Sequence, residues 1–172
     1  DKHPLFLSGG FEVQDLAAQT AVERAGALPG MRVLDLAAGA GGKSLALAAA
    51  MGNEGEIVAC DIRGAALAEL EKRAARAGAT IIRTQILGAP PPGPYELVFI
   101  DAPCSGSGTW RRQPELKTRL TGERLSALGR TQDQLLAQGA GLGRRLVYAT
   151  CSVLPAENED RVAAFLAENP GF

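Results

Sequence analysis

Short apolar runs recur along the chain and are dominated by Val, Ile and Leu: Arg32–Leu36 (RVLDL), Ile57–Asp61 (IVACD), Ile81–Gln85 (IIRTQ), Leu97–Asp101 (LVFID) and Leu146–Thr150 (LVYAT). Runs this short, with little polar–apolar alternation, are the pattern of parallel strands covered on both faces. Between them the spacing becomes that of Ala-rich helices. These are predicted over Val13–Ala25, Lys43–Met51, Arg63–Ala77, Arg124–Gln138 and Ala156–Glu168, with Gly30, Gly78 and Pro90–Gly93 as turns. Strands alternating with helices build right-handed crossovers, so the expected fold class is α/β: a doubly wound, mostly parallel, Rossmann-like sheet of order 3-2-1-4-5. Ligands of such sheets sit outside the carboxyl ends of the strands. Every motif described below falls at such an end.

The 172 residues amount to one ordinary domain. A hydrophobic share of 46% allows a packed core without disulfides or metals. The formal net charge of -1 gives no global basic field, so a polyanionic partner would have to be met by a local patch. Cys60, Cys104 and Cys151 are too few and too uneven for a disulfide framework and suit a reducing compartment, so a cytoplasmic location is expected. With a single histidine, His3, no metal site is expected. No apolar run has the length of a membrane span and no signal peptide is visible. The first residue is Asp rather than Met, so the sequence reads as a processed or cut piece of a longer chain.

The first strand runs into Asp35-Leu36-Ala37-Ala38-Gly39-Ala40-Gly41-Gly42-Lys43-Ser44, and a helix follows. Glycines here let the backbone turn sharply and approach a ligand. A phosphate-cradling P-loop would need Gly where Ala37 stands, and a dinucleotide fingerprint would need Gly or Ala where Ser44 stands, so both patterns fail. The loop alone is also compatible with a plain strand-to-helix turn. Asp61 ends the second strand about 20 residues further on, where an acid binds the two ribose hydroxyls of a nucleoside cofactor; its other reading is a helix N-cap. Cys60 beside it is expected to face the core.

The fourth strand ends in Asp101-Ala102-Pro103-Cys104-Ser105-Gly106-Ser107-Gly108-Thr109, the fifth in Thr150-Cys151-Ser152-Val153-Leu154-Pro155. Strand order makes these ends neighbours on one rim. Either cysteine alone reads equally well as an inert core thiol, but two at adjacent strand ends point to chemistry. Carbon 5 of cytosine is too poor a nucleophile to take a methyl group directly. A thiolate adding at carbon 6 turns the ring into an enamine whose carbon 5 can. A free thiol, with a pKa of about 8.5, is mostly protonated at neutral pH, and no histidine stands near to help. Asp101 is placed to meet the ring nitrogen and exocyclic amine.

The segments DLAAGAGGKS, ACD, DAPCSGSGTWRRQPELK and LVYATCSVLPAENE, with the lead-in GGFEVQDLAAQ, resemble the Sun/Fmu-type family of RNA cytosine-5 methyltransferases over nearly the whole chain. That resemblance implies a methyltransferase of S-adenosylmethionine. Ala37, Ala38, Gly39, Ala40, Gly41, Gly42, Lys43, Asp61, Gln85 and Asp101 would hold the cofactor. Cys151 would be the nucleophile at carbon 6, and Cys104 would remove the carbon 5 proton and release the product. Asp101 would bind the base, with Lys43 among the catalytic groups. In the related DNA enzymes the nucleophile sits in the Pro-Cys motif, which would exchange the two cysteines' roles.

The sequence also departs from the family. Gln85 stands where an acid near the adenine amine is usual, Ala40 replaces a Pro, and the turn before the fifth strand is shortened to Ala140-Gly141-Leu142-Gly143. The chain ends at Phe172, before the family's last two strands, so the fifth strand is expected at an open edge that a continuing chain or another copy would cover. The separate amino-terminal RNA-binding domain common in this family is not expected among these 172 residues. The implied division is a helical lead-in over 1–30 and a methyltransferase domain over 31–172.

The stretch after the Pro-Cys loop is basic. Arg111, Arg112, Lys117, Arg119, Arg124 and Arg130 face only Glu115 and Glu123. Trp110, Arg111, Arg112, Lys117 and Arg119 are the candidate RNA contacts, and a solvated helix face is the plainer reading. A target base must leave its stack before a thiol can reach it, so single-stranded or opened RNA, ribosomal RNA in particular, is the expected partner. Pro155 and Glu157-Asn158-Glu159 read as the start of the last helix. Two rivals remain at this point: a methyltransferase for another acceptor, and a module that binds RNA or cofactor without turnover.

Overall fold

The structure, a computed structural model, describes residues 3–88 and 92–172. A short helix α1 (Pro4–Leu7) and a longer α2 (Leu16–Ala25) precede β1 (Arg32–Asp35). Then follow α3 (Gly42–Ala50), β2 (Glu56–Asp61), α4 (Gly64–Ala77), β3 (Ile82–Ile86) and β4 (Leu97–Asp101). A 3-10 turn at Ser107–Thr109, the short α5 (Glu115–Thr118) and the long α6 (Gly122–Ala140) lead to β5 (Leu146–Ala149). A second 3-10 turn, Pro155–Glu157, and α7 (Glu159–Glu168) complete the order. All four strand pairings are parallel and the order is β3-β2-β1-β4-β5, as the alternation predicts.

The near-continuous apolar strands follow from having helices on both faces. Val33, Ile57, Leu97 and Phe99 point to one side and pack with Val22 of α2 and Leu47 of α3. Leu34, Val58, Cys60, Val98 and Ile100 point to the other and pack with Leu135 and Leu136 of α6. Cys60 is fully buried there. α4 closes the first face through Leu67, Leu70 and Ala74 against Leu45 and Ala59. Among the described residues β5 is bounded by β4 on one side only and forms an edge. No helix among the described residues is long and apolar enough to cross a membrane.

Element ends depart from the sequence reading for local reasons. α2 starts at Leu16 rather than Val13 because the Asp15 side chain caps it, accepting from the Ala17 amide at 3.0 Å. At its other end Arg145 donates to the carbonyls of Ala25 and Gly26 at 2.7 and 3.0 Å, tying the helix to β5. The last helix starts at Glu159 rather than Ala156, since Asn158, at φ -126 and ψ -94, breaks the path after the 3-10 turn. α1 and α5, of four residues each, carry no buried side chain and so leave no apolar stripe to read. Within the turn expected at Pro90–Gly93, Pro90 and Pro91 lie outside the described residues.

Candidate active site

The loop from β1 to α3 is fixed by its own backbone. Ala38 donates to the Cys60 carbonyl at 2.9 Å and Gly39 to the Asp61 carboxylate at 2.8 Å, binding the loop to the end of β2. Gly41 sits at φ +80, and a Cβ there would lie 2.0 Å from the Leu70 side chain, so both conformation and space demand glycine. Arg73 of α4 donates to the Ala40 carbonyl at 2.7 Å and braces the loop from outside. α3 has no side-chain cap, so the first-turn amides of Gly42 and Lys43 have no intrahelical acceptor and both residues face the cavity. Behind them Asp35 is fully buried and accepts from Ser44 Oγ at 2.7 Å, joining strand end to helix start. Burial, with a smaller contribution from Asp101, pushes its carboxyl up to about 7 against the Ser44 hydrogen bond.

A cavity of about 840 Å³ opens at the carboxyl ends of the strands. Ala37, Ala38, Gly39, Ala40, Gly42, Lys43, Asp61, Asp101, Cys104 and Cys151 all line it, so most of the residues singled out from the sequence share one wall. Gly41 lies buried behind the loop. Gln85 is not brought to this cavity. It lies half-buried on β3, paired in register with Cys60, whereas Leu87, just past the strand end, lines the wall. The lead-in contributes as well, through Val13, Gln14, Asp15 and Ala18. Sequence reading had given that segment no place in the site.

Two polar pairs mark the mouth. Lys43 Nζ donates to Asp101 Oδ2 at 2.7 Å, with both side chains partly shielded. Cys104 and Cys151 stand with their sulfurs 3.2 Å apart, both as free thiols, Cys151 exposed and Cys104 half-buried. The thiol of Cys104 stabilises charge on Cys151 and, with a smaller contribution from Lys43, holds the Cys151 thiol down at about 7, while burial and Asp101 oppose. The same contact, with burial, pushes Cys104 well up. A thiol that donates to a neighbouring sulfur favours the thiolate form of that neighbour, and Cys104 stands where it can do this for Cys151.

The two cysteine loops are stitched together by groups that the sequence reading treated as helix-starting residues. Glu157 is fully buried; its carboxylate accepts from the Ser105 amide at 2.8 Å, the Ser105 hydroxyl at 2.5 Å and Gln132 Nε2 at 3.2 Å. Gln132 also donates to the Pro103 carbonyl at 3.0 Å, so both neighbours of Cys104 are held. Asn158 does the same for Cys151: its Nδ2 donates to the Ser152 and Leu154 carbonyls at 3.1 and 3.0 Å, and its Oδ1 accepts from Thr150 Oγ1 at 2.7 Å. Gly108 donates to the Cys151 carbonyl at 3.0 Å, and a Cβ on it would come within 2.8 Å of that oxygen. One signal was available. Gly129, Gln132, Leu136 and Gly139 form a buried stripe at helical spacing on α6, and a glutamine inside such a stripe needs a buried partner.

The basic stretch lies outside the cavity. Arg111, Arg112, Lys117 and Arg119 are exposed and Trp110 is half-buried, with Lys117 Nζ 5.9 Å from its ring centroid. Arg112 Nη1 donates to Asp15 at 2.5 Å, joining this stretch to the lead-in and holding the Asp15 carboxyl below its ordinary range.

Residues 27–171 match the family model for 16S rRNA methyltransferase RsmB/F. The chain is 39% identical over 171 residues to the ribosomal RNA small subunit methyltransferase B of Thermus thermophilus, covering 97% of this chain and 42% of the relative. Among solved structures, PH0851 superposes with a TM-score of 0.93 at 34% identity, covering 98% of this chain and 40% of that one. The NSun6 of Pyrococcus horikoshii, solved with SFG, superposes at 0.89 with 26% identity, covering 97% and 44%. The chain thus spans about two fifths of the length of the relatives it matches. With the sheet order, the glycine loop and the paired thiols on one rim, these matches place the chain in the RsmB/F family of S-adenosylmethionine-dependent RNA methyltransferases, with their Rossmann-like fold.

Proposed function

We propose that this chain transfers a methyl group from S-adenosylmethionine to carbon 5 of cytosine in RNA, ribosomal RNA by the names of its relatives, through a covalent adduct on Cys151. The observation that carries this reading is the pair of sulfurs 3.2 Å apart at the mouth of the cavity, beside the Lys43–Asp101 pair. S-Adenosylmethionine, when bound, supplies an electrophilic methyl group on a sulfonium. Its parts find complements in the cavity: Asp61 for the ribose hydroxyls, the first-turn amides of α3 for the carboxylate, and the Gly39–Gly42 backbone for close approach. Val13, Gln14, Asp15 and Ala18 line the same cavity, so the 1–30 lead-in acts with the 31–172 domain.

Cys151, the thiolate, adds to carbon 6 of a base presented at the mouth. Asp101, paired with Lys43, accepts from the exocyclic amine, and the electrons that addition places in the ring are drawn off when carbon 5 bonds to the methyl group. Carbon 5 then takes the methyl group. Once Cys151 is bonded to carbon, the charge that retains the proton on Cys104 is gone, and that proton leaves to solvent. Cys104 then takes the carbon 5 proton, the electrons re-form the 5,6 double bond, and Cys151 departs as thiolate. The cycle ends as it began, with Cys104 protonated and Cys151 charged. Trp110, Arg111, Arg112, Lys117 and Arg119 would meet the RNA backbone and a neighbouring base.

RNA carrying 5-fluorocytosine, incubated with the protein and S-adenosylmethionine, is expected to leave a stable adduct that peptide mass spectrometry maps to Cys151. An adduct confined to Cys104 would exchange the roles. In Cys104→Ala, adduct on ordinary cytosine RNA is expected to accumulate, because release needs the missing base. Retained activity in the double cysteine variant would instead favour another acceptor.

The pH dependence carries its own sign. The reactive form is the thiolate, so kcat/KM is expected to fall tenfold per pH unit below about 7 and to level above it. In Cys104→Ala the thiolate loses its donor, so the inflection in the rate of adduct formation moves up, toward the free-thiol range of about 8.5.

A further inference from the structure

Asp61 has no lone pair to spare. Its Oδ1 accepts from the Arg63 amide at 2.8 Å and from Arg63 Nε at 2.9 Å. Its Oδ2 accepts from the Gly39 amide at 2.8 Å and from Arg63 Nη2 at 3.0 Å. A carboxylate offers about four lone-pair sites, and here all four are taken. Two partners are backbone amides that fix the carboxylate and cannot leave. The other two belong to one guanidinium, on a side chain that is 66% exposed while Asp61 is 5% exposed. The guanidinium also lies against the cofactor loop, with Nη2 3.4 Å from where a Cβ on Gly39 would be. Burial alone would raise the Asp61 carboxyl; hydrogen bonds from Arg63 and Gly39 and the Arg63 charge bring it below the ordinary range.

We infer that Arg63 is a displaceable latch over the ribose-binding carboxylate: the cofactor's 2′- and 3′-hydroxyls take the two sites on Asp61 only when the guanidinium swings out. The inference rests on the reading of Asp61 as the ribose ligand. Arg63 is a positioning residue that sets cofactor affinity against itself. Fork-shaped pairing is what makes it an effective competitor, since one guanidinium covers both oxygens at once, as a diol would.

The test is calorimetric titration with S-adenosylhomocysteine and with its 2′,3′-dideoxy analogue. Arg63→Met is expected to bind S-adenosylhomocysteine roughly two- to fivefold more tightly, the range set by one partly exposed ion pair. It is also expected to melt lower without ligand and to gain more on saturation, because two of the four sites on Asp61 lack a donor until the diol arrives. The dideoxy analogue, which needs no site on Asp61, gains nothing from the substitution. Arg63→Lys, charged but unable to fork, falls between, and it serves as the second variant where Arg63→Met is poorly folded. Equal or weaker binding of S-adenosylhomocysteine by both variants overturns the latch. Asp61→Asn separates the two ideas: if it binds as the unsubstituted chain does, the ribose reading fails and the latch falls with it. If Asp61→Asn is weakened and the Arg63 variants are not tightened, only the latch is lost.

Discussion

Cys151→Ala is expected to reduce methyl transfer to RNA by about three orders of magnitude or more while leaving S-adenosylhomocysteine affinity within about twofold. The size follows from the chemistry. Without a bond to carbon 6, carbon 5 has no enamine electrons to offer, and neither binding nor orientation replaces them. The intact affinity follows from the layout, since Asp61 ends β2 and the glycine loop and first turn of α3 follow β1, while Cys151 follows β5. The side chain is exposed, so its removal leaves no large cavity and costs little stability. Adding Cys104→Ala should lower turnover no further, because the second thiol acts only after the first has bonded. Tritiated methyl incorporation, read beside calorimetry, checks both halves. Turnover within tenfold of the unsubstituted chain would remove the covalent step, and with it the reason for two thiols on one rim.

How much of this was legible beforehand depended on where each signal lay. The strands were readable because both faces of the sheet are covered, which forces apolar residues at Val33 and Leu34 and throughout IVAC and LVFI. Their order placed the glycine loop, Asp61, Asp101, Cys104 and Cys151 on a single rim before any coordinates. Side-chain choices within that rim were not readable. Gln85 and Leu87 lie two residues apart near the end of β3, and only the point where the strand leaves the sheet decides which of them reaches the cavity. The lead-in was opaque for a similar reason: Val13, Gln14 and Asp15 have no periodicity, and they reach the site because α2 docks beside α3. The contact between the two sulfurs was invisible because it joins residues 47 positions apart in sequence.

The Glu157-Asn158-Glu159 run shows the same failure with the largest structural consequence. Acids before a helix are favourable at its N-terminus, and that local reading accounts for Glu159, which lies in the first turn of α7. It does not account for Glu157, which is fully buried, has no cationic partner among the described residues, and is bonded there by Ser105 and Gln132. Glu157→Ala would leave the Ser105 amide and Gln132 Nε2 short of an acceptor in a dry interior and would open a void between α6 and the Pro-Cys loop. At roughly 1–3 kcal/mol for each orphaned donor, the expected loss is about 3–5 kcal/mol, or roughly 10 °C in melting temperature for a chain of this size. Glu157→Gln keeps the shape and one carbonyl oxygen to accept from the Ser105 amide, and its amide can donate to the Ser105 hydroxyl, so its loss should be nearer 1 kcal/mol. Activity separates positioning from stability. Assayed well below its melting temperature, Glu157→Gln should retain cofactor affinity yet lose turnover, because Ser105 adjoins Cys104 and any shift of that loop lengthens the contact between the sulfurs. The Cys151 inflection would then move up in pH together with the fall in rate. If Glu157→Ala melts within about 1 °C of the unsubstituted chain, the buried carboxylate is not what holds the two cysteine loops in register.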